Sequence, residues 1–235
     1  MKRCGWAATL ALACAIAPGA TAWAADAPAG NGIRTVILVR HGVYDEDDAR
    51  DPAVGRALTE TGRTMARLTA ARLAHLGVRV DAIHASPLTR ARQTAQILAD
   101  SLGLAPVLSD DLRECTPPTE RPEVMARYRA GAVDSCRAAL ERDWARYFGT
   151  SPGRDSVEVI VCHGNVIRWL VARALGLAET RWLNLTIANC SLSVVQIHPD
   201  GRMRLASFDD TGHLPPALVS YPAPAWDPGL PPKKR

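Results

Sequence analysis

The chain has 235 residues, an apolar fraction of 47% and a formal net charge of +4. That length fits one domain or two small ones, and it is enough to bury a core without staples. The composition excludes fibrous and wholly disordered classes, and the mild charge, with no basic stripe, argues against a nucleic-acid partner.

Lys2 and Arg3 open the chain, residues 6–17 are apolar or small, Pro18-Gly19 breaks the run, and Ala22-Trp23-Ala24 offers a small-residue cleavage site. This is the layout of a secretory signal. It predicts removal of residues 1–24, a short linker at 25–32, and a protein of the periplasm or the exterior. The apolar run is too short to span a bilayer, so no stable membrane span is expected after processing. Ala11-Leu12-Ala13 makes a poor lipidation box ahead of Cys14, which disfavours a lipoprotein anchor. Cys115, Cys136, Cys162 and Cys190 would remain. An oxidising compartment permits their pairing, but three full pairings are open and the sequence does not choose. No C-x-x-C pair suggests a metal.

Ile33–Val39 is β-branched and reads as a buried strand. It runs into Arg40-His41-Gly42. Tyr44–Asp51 is acidic and irregular. Thr59 opens a helix that continues to about Leu76, with Met65, Leu68, Leu73 and Leu76 on one face, and Gly77 stops it. Val80–Ala85 reads as a second strand. Ser86-Pro87 reads as a helix start, Ser as N-cap and Pro at the first helical position. That helix carries Arg90, Arg92 and Thr94. A short strand near Val107 leads to Asp110–Glu114, and Cys115–Pro122 is a Pro-rich loop. Glu123–Phe148 reads as one long helix with a weak spot at Gly131. Val157–Cys162 is another buried strand, ending in His163-Gly164-Asn165, and Val166–Leu175 is helical. Leu192–His198 and Met203–Phe208 form a hairpin around Pro199-Asp200-Gly201. From residue 220 the chain is Pro-rich and is expected to be disordered. Strands alternating with helices predict an α/β fold, three-layer, with a mostly parallel central sheet flanked by helices over residues 33–219.

Two strands therefore end alike, in His41-Gly42 and in His163-Gly164. Ligands of open α/β sheets bind beyond the carboxyl ends of strands, so the two histidines can meet across one crevice. Arg40 beside the first His disfavours a cation, and no H-E-x-x-H or H-x-H spacing exists. Arg is the preferred fork for phosphate oxygens. A neutral imidazole can attack phosphorus. A carboxylic acid nearby would protonate the leaving oxygen. His84 and His213 are candidates for the crevice rim, and His75 and His198 read as surface residues.

The segments LTETGRTMARLTAARLAHLG, SPLTRARQTA, LRE with its Pro-rich loop, and VCHGNVIR resemble, in order, the motifs of the histidine phosphatase superfamily, the phosphoglycerate-mutase-like group. Within it the likeness is strongest to the mitochondrial Ser/Thr protein phosphatases of that group. The resemblance implies a phosphoglycerate-mutase-like fold and hydrolysis of phosphomonoesters through a phosphohistidine. It implies His41 as nucleophile, Arg40 and Arg90 as phosphate ligands, His163 as phosphate ligand and transition-state stabiliser, and Glu114 as proton donor, with no cofactor and no metal. The substrate would be a phosphorylated small molecule or a phosphoprotein, and homo-oligomerisation stays open. Cys115 and Cys190 stand where the mitochondrial relatives have Gly, the second in a loop expected to border the site. The alternatives are a phosphoglycerate-type phosphomutase and a non-catalytic phosphoprotein-binding module.

Overall fold

The computed structural model describes residues 32–221 apart from residue 52. The expected signal, most of the linker and nearly all of the Pro-rich tail lie outside the described residues.

Six strands form one sheet in the order β3-β2-β4-β1-β5-β6: β1 Arg34–Arg40, β2 Ala82–Ala85, β3 Pro106–Leu108, β4 Ser156–Cys162, β5 Leu192–Ile197 and β6 Met203–Asp210. β1, β2, β3 and β4 pair in parallel, and β5 and β6 extend the sheet antiparallel from β1. The mixed sheet follows from connection length. The tight turn at Pro199-Asp200-Gly201 can only return an antiparallel strand, whereas the parallel strands are joined through helices. Gly201 sits in that turn at φ +81°, a conformation that costs Gly least.

The helices are α1 Glu60–Ala74, α2 Thr89–Leu102, the single turn α3 Pro122–Met125, α4 Ala130–Tyr147 and α5 Gly164–Ala174. Strand periodicity sorts the core into two halves. Val36, Leu38, Ile160 and Cys162 pack with α4 and α5, while Ile37, Val39, Val159 and Val161 pack with α1 and α2. β1 and β4 are buried on both faces, which is why they read as unbroken β-branched runs. The result is the expected three-layer α/β architecture.

Two elements depart from expectation. The long helix is split: residues 126–129 turn tightly, Arg129 is extended at φ −71° and ψ 141°, and α4 starts afresh. An Ala- and Arg-rich stretch keeps helical composition across such a break, so periodicity does not reveal it. Gly131 falls in the first turn of α4 and is not the break. The Ser86 cap is also corrected. α2 starts at Thr89 with Leu88 at its N-cap and no side-chain cap. The Ser86 hydroxyl accepts from the Leu88 amide at 3.3 Å, ahead of the first helical residue, and lies 2.8 Å from His163 Nε2.

Candidate active site

β1 and β4 are adjacent and in register, with Arg40 opposite Cys162. The next residue of each strand is a histidine, so the pairing itself brings His41 and His163 together. Their ring centroids are 5.0 Å apart, and both residues are buried. The His41 amide still donates to the Cys162 carbonyl at 3.1 Å, and the Asn189 side chain donates to the His41 carbonyl at 2.8 Å.

Gly42 must be glycine for packing reasons. A Cβ there would lie 2.6 Å from the Gly62 carbonyl oxygen, and a Cβ on Gly62 would lie 2.0 Å from that of Val43. Thr59 caps α1 by accepting from the Gly62 amide at 3.0 Å, and its hydroxyl donates to the Val43 carbonyl at 3.3 Å. Thr94 accepts from the Gly42 amide at 3.1 Å. The Thr59-to-Gly62 segment and Thr94 are therefore scaffold for the loop that presents His41.

The His41 ring has a determined tautomer. Nδ1 lies 2.8 Å from the Gly42 carbonyl oxygen. A carbonyl only accepts, so Nδ1 carries the proton. The Nε of Arg90 donates to Nε2 at 3.0 Å, so Nε2 holds the lone pair. Burial first, then the charges of Arg40 and Arg90, hold the His41 pKa well below the usual histidine range. The ring is neutral, with its lone pair on Nε2. Tyr44 stands edge-on to the ring, with centroids 5.6 Å apart, and Arg90 lies 5.0 Å over the Tyr44 ring.

Arg40 donates from Nη1 to the Ile187 carbonyl at 2.7 Å, while its Nε is buried with no hydrogen-bond partner. Gly164 lies beside that guanidinium, where a Cβ would reach Arg40 Nε at an ordinary contact distance of 3.5 Å. His163 bonds through Nε2 to the Ser86 hydroxyl at 2.8 Å, and its Nδ1 is likewise buried without a partner. Burial, with His41 and the arginines behind it, keeps His163 neutral far below its usual range. A buried donor such as Arg40 Nε that the protein leaves unsatisfied is costly, and an oxyanion is its natural complement.

Glu114 follows the turn at 110–112 and accepts from the Asn165 amide at 3.3 Å. Burial raises its pKa, and Arg40, Arg168 and Arg90 oppose that rise. All five residues expected at the site, Arg40, His41, Arg90, Glu114 and His163, are therefore linked by contacts or by mutual charge around one centre. Arg92 faces solvent, as its helix position requires. His84 does not line the crevice: its ring is tilted against Tyr147, with centroids 4.9 Å apart, and its Nε2 lies 3.3 Å from Glu158. His213 bonds Thr69 and the Cys190 carbonyl, behind the backbone that carries Arg40. Cys190 is buried at φ +56°, and its amide donates to the Arg40 carbonyl at 2.9 Å.

Sequence reasoning missed Asn165, Arg168 and the role of Ser86. Asn165 also holds the Cys115 carbonyl at 3.0 Å. Arg168 bonds the Asn165 side chain and stacks 4.9 Å over Trp182. Ser86 sat visibly at a strand end, and that position was the available signal.

The family model described as the histidine phosphatase superfamily (branch 1) matches residues 36–129 and 144–211. The chain belongs to this superfamily. Among similar proteins, the serine/threonine-protein phosphatase PGAM5, mitochondrial, of Rattus norvegicus is 37% identical over 195 residues, covering 80% of this chain and 66% of the relative. The Caenorhabditis elegans protein of that name is 33% identical over 200 residues, again 80% and 66%. The chain thus spans 66% of the length of these relatives. The putative alpha-ribazole-5'-P phosphatase of Escherichia coli superposes with a TM-score of 0.60 at 18% identity, covering 75% of this chain and 97% of that one. A phosphoglycerate mutase of Plasmodium falciparum gives 0.54 at 23%, covering 76% and 91%. These two likenesses establish the fold. The names of the PGAM5 relatives correct one expectation: they are mitochondrial, which points away from a periplasmic or secreted protein. Among the described residues no helix is long and apolar enough to cross a membrane.

Proposed function

We propose that this chain is a phosphatase that hydrolyses phosphomonoesters through a phosphohistidine on His41, with Glu114 as proton donor. The observation that carries this reading is the His41 ring, neutral, with its Nδ1 proton committed to the Gly42 carbonyl and its Nε2 lone pair facing Arg90. In the first step Nε2 attacks phosphorus, the ester P–O bond breaks, and Glu114 gives its proton to the leaving oxygen. In the second, Glu114 takes a proton from water, the water oxygen attacks phosphorus, and the P–N bond breaks to release phosphate. Arg40, Arg90 and the Nδ1 of His163 bear the charge on the three transferring oxygens. The relatives named serine/threonine-protein phosphatases favour phosphorylated proteins as the substrate class.

A panel of phosphopeptides, sugar phosphates and nucleotides, assayed with EDTA present, tests the proposal. Hydrolysis is expected with EDTA, phosphopeptides are expected to lead, and protein quenched in alkaline denaturant should carry a phosphoryl group that is stable to alkali and lost in acid. Hydrolysis that survives His41→Ala would sink the mechanism.

A further inference from the structure

Glu114 belongs to no helix or strand. Among the described residues its hydrogen bond is the 3.3 Å contact from the Asn165 amide, long for a hydrogen bond that must aim a proton. The next residue, Cys115, is bonded to Cys136 of α4, with their Cα atoms 5.6 Å apart. Asn165 grips the segment from the α5 side, through the Cys115 carbonyl at 3.0 Å and the Thr116 hydroxyl at 3.4 Å. The disulfide grips it from the other side. α4 is a firm anchor: Cys136 is buried, and Arg142 forks onto Asp111 at 2.6 and 3.0 Å. A cleft of about 430 Å³ opens beside the acid, lined by Glu114, Cys115, Thr116, Tyr128, Ala132 and Asn165. Ala132 stands four residues before Cys136, on the same helix face. The cross-link therefore ties the acid-bearing wall of this cleft to the opposite wall. Among the described residues, the hydrogen bonds of the Arg40, His41, Arg90 and His163 side chains run to Ile187, Gly42, Ser86 and one another, and none runs to either cysteine.

We propose that the Cys115–Cys136 disulfide positions the Glu114 carboxyl against the leaving oxygen, so that proton delivery depends on the cross-link while attack by His41 does not. The proposal rests on Glu114 being the proton donor. It gives the disulfide a positioning role, because misplacing a reacting group by about 1 Å can cost ~100-fold in rate, and an unconstrained irregular segment moves by that much.

The test compares two substrates on the whole protein. Phosphoserine has an alkoxide leaving group and needs the proton; 2,4-dinitrophenyl phosphate does not. Dithiothreitol reduces the bond in two steps. One reagent thiolate attacks a cysteine sulfur and breaks the S–S bond, and the second closes the oxidised ring. The reagent's two electrons and two protons end on Cys115 and Cys136. Reduction is expected to lower kcat/KM, which reports the first step alone, on phosphoserine by about tenfold or more and on the dinitrophenyl ester by less than about twofold. Reoxidation should restore the loss. Cys136→Ser should match the reduced protein without reagent and show no response to it. If that variant fails to fold, reduction of the folded wild type decides alone. Equal losses on both substrates, or no loss on phosphoserine, would overturn the proposal. Glu114→Gln separates the two readings. If it handles phosphoserine as wild type does, the donor assignment fails. If it discriminates between the substrates and the reduced protein does not, only the role of the disulfide fails.

Discussion

The Nε of Arg90 donates to the Nε2 of His41 across 3.0 Å, so a guanidinium rests on the lone pair that would attack phosphorus. The contact aligns the ring and keeps a cation at the place where phosphoryl oxygens would arrive. It also depresses the basicity of His41. Arg90→Gln is expected to lower kcat/KM by about 100- to 1000-fold, the loss typical of a removed oxyanion donor. Arg90→Lys should recover little, because a point charge lacks the fork. Steady-state kinetics check this, and wild-type values in Arg90→Gln would remove Arg90 from the chemistry.

The pH profile follows from two shifts of opposite sign. Burial, Arg40 and Arg90 lower His41, which must be unprotonated to attack. Burial raises Glu114, against Arg40, Arg168 and Arg90, and it must be protonated to donate. kcat/KM should therefore rise with pH through the depressed His41 value and fall through the elevated Glu114 value. On phosphoserine, Glu114→Gln should lower the rate and abolish the fall at high pH. A fall that persists in that variant would assign the basic limb to another group.

How much of this was legible beforehand depended on whether a feature is local. β1 and β4 announce themselves as β-branched runs, and register then forces His41 and His163 together. The cap at Thr59 and the turn at Gly201 are likewise written in adjacent residues. Ser86 departs from its expected place because a Ser-Pro pair carries the composition of a helix start, while its hydroxyl binds Leu88 one turn too early and also meets His163. The break at residues 126–129 leaves helical composition intact. The Cys115–Cys136 pairing joins residues 21 apart through the placement of α4, and spacing alone leaves it among three alternatives. Asn165 acts mainly through contacts with a segment fifty residues earlier, which no local pattern displays.

Gly62 offers a test of the scaffold rather than the chemistry. A Cβ at this position would sit 2.0 Å from the backbone oxygen of Val43, and a backbone atom cannot swing aside as a side chain can. Gly62→Ala is expected to cost about 1–3 kcal/mol of stability, the range for overpacking a tight site. It should also displace the loop that carries His41, so activity should fall by more than the folded fraction does. Thermal denaturation paired with kinetics on the folded protein checks both parts, and full activity per folded molecule would show that the loop tolerates the shift.

Asp143 predicts a stability change whose sign depends on pH. Its side chain is 1% exposed, and its Oδ2 has no hydrogen-bond partner. Burial, with the charge of Asp111 behind it, lifts its pKa from 3.8 to about 7, against the pull of Arg146 and Arg142. A carboxyl raised in the folded state binds its proton more tightly there than in the unfolded chain. Its favourable contribution is complete below the unfolded value and is lost as pH rises through about 7. Asp143→Asn does not titrate, so it keeps the neutral form at every pH. The variant should gain on wild type as pH rises from 3.8 to about 7 and hold a constant advantage above that. The linkage amounts to about 2–4 kcal/mol once relaxation of the site is allowed for. Melting temperatures of both proteins between acidic and mildly alkaline pH check it. A difference that does not vary with pH would mean that Asp143 stays ionised in the fold, with Arg142 and Arg146 outweighing its burial.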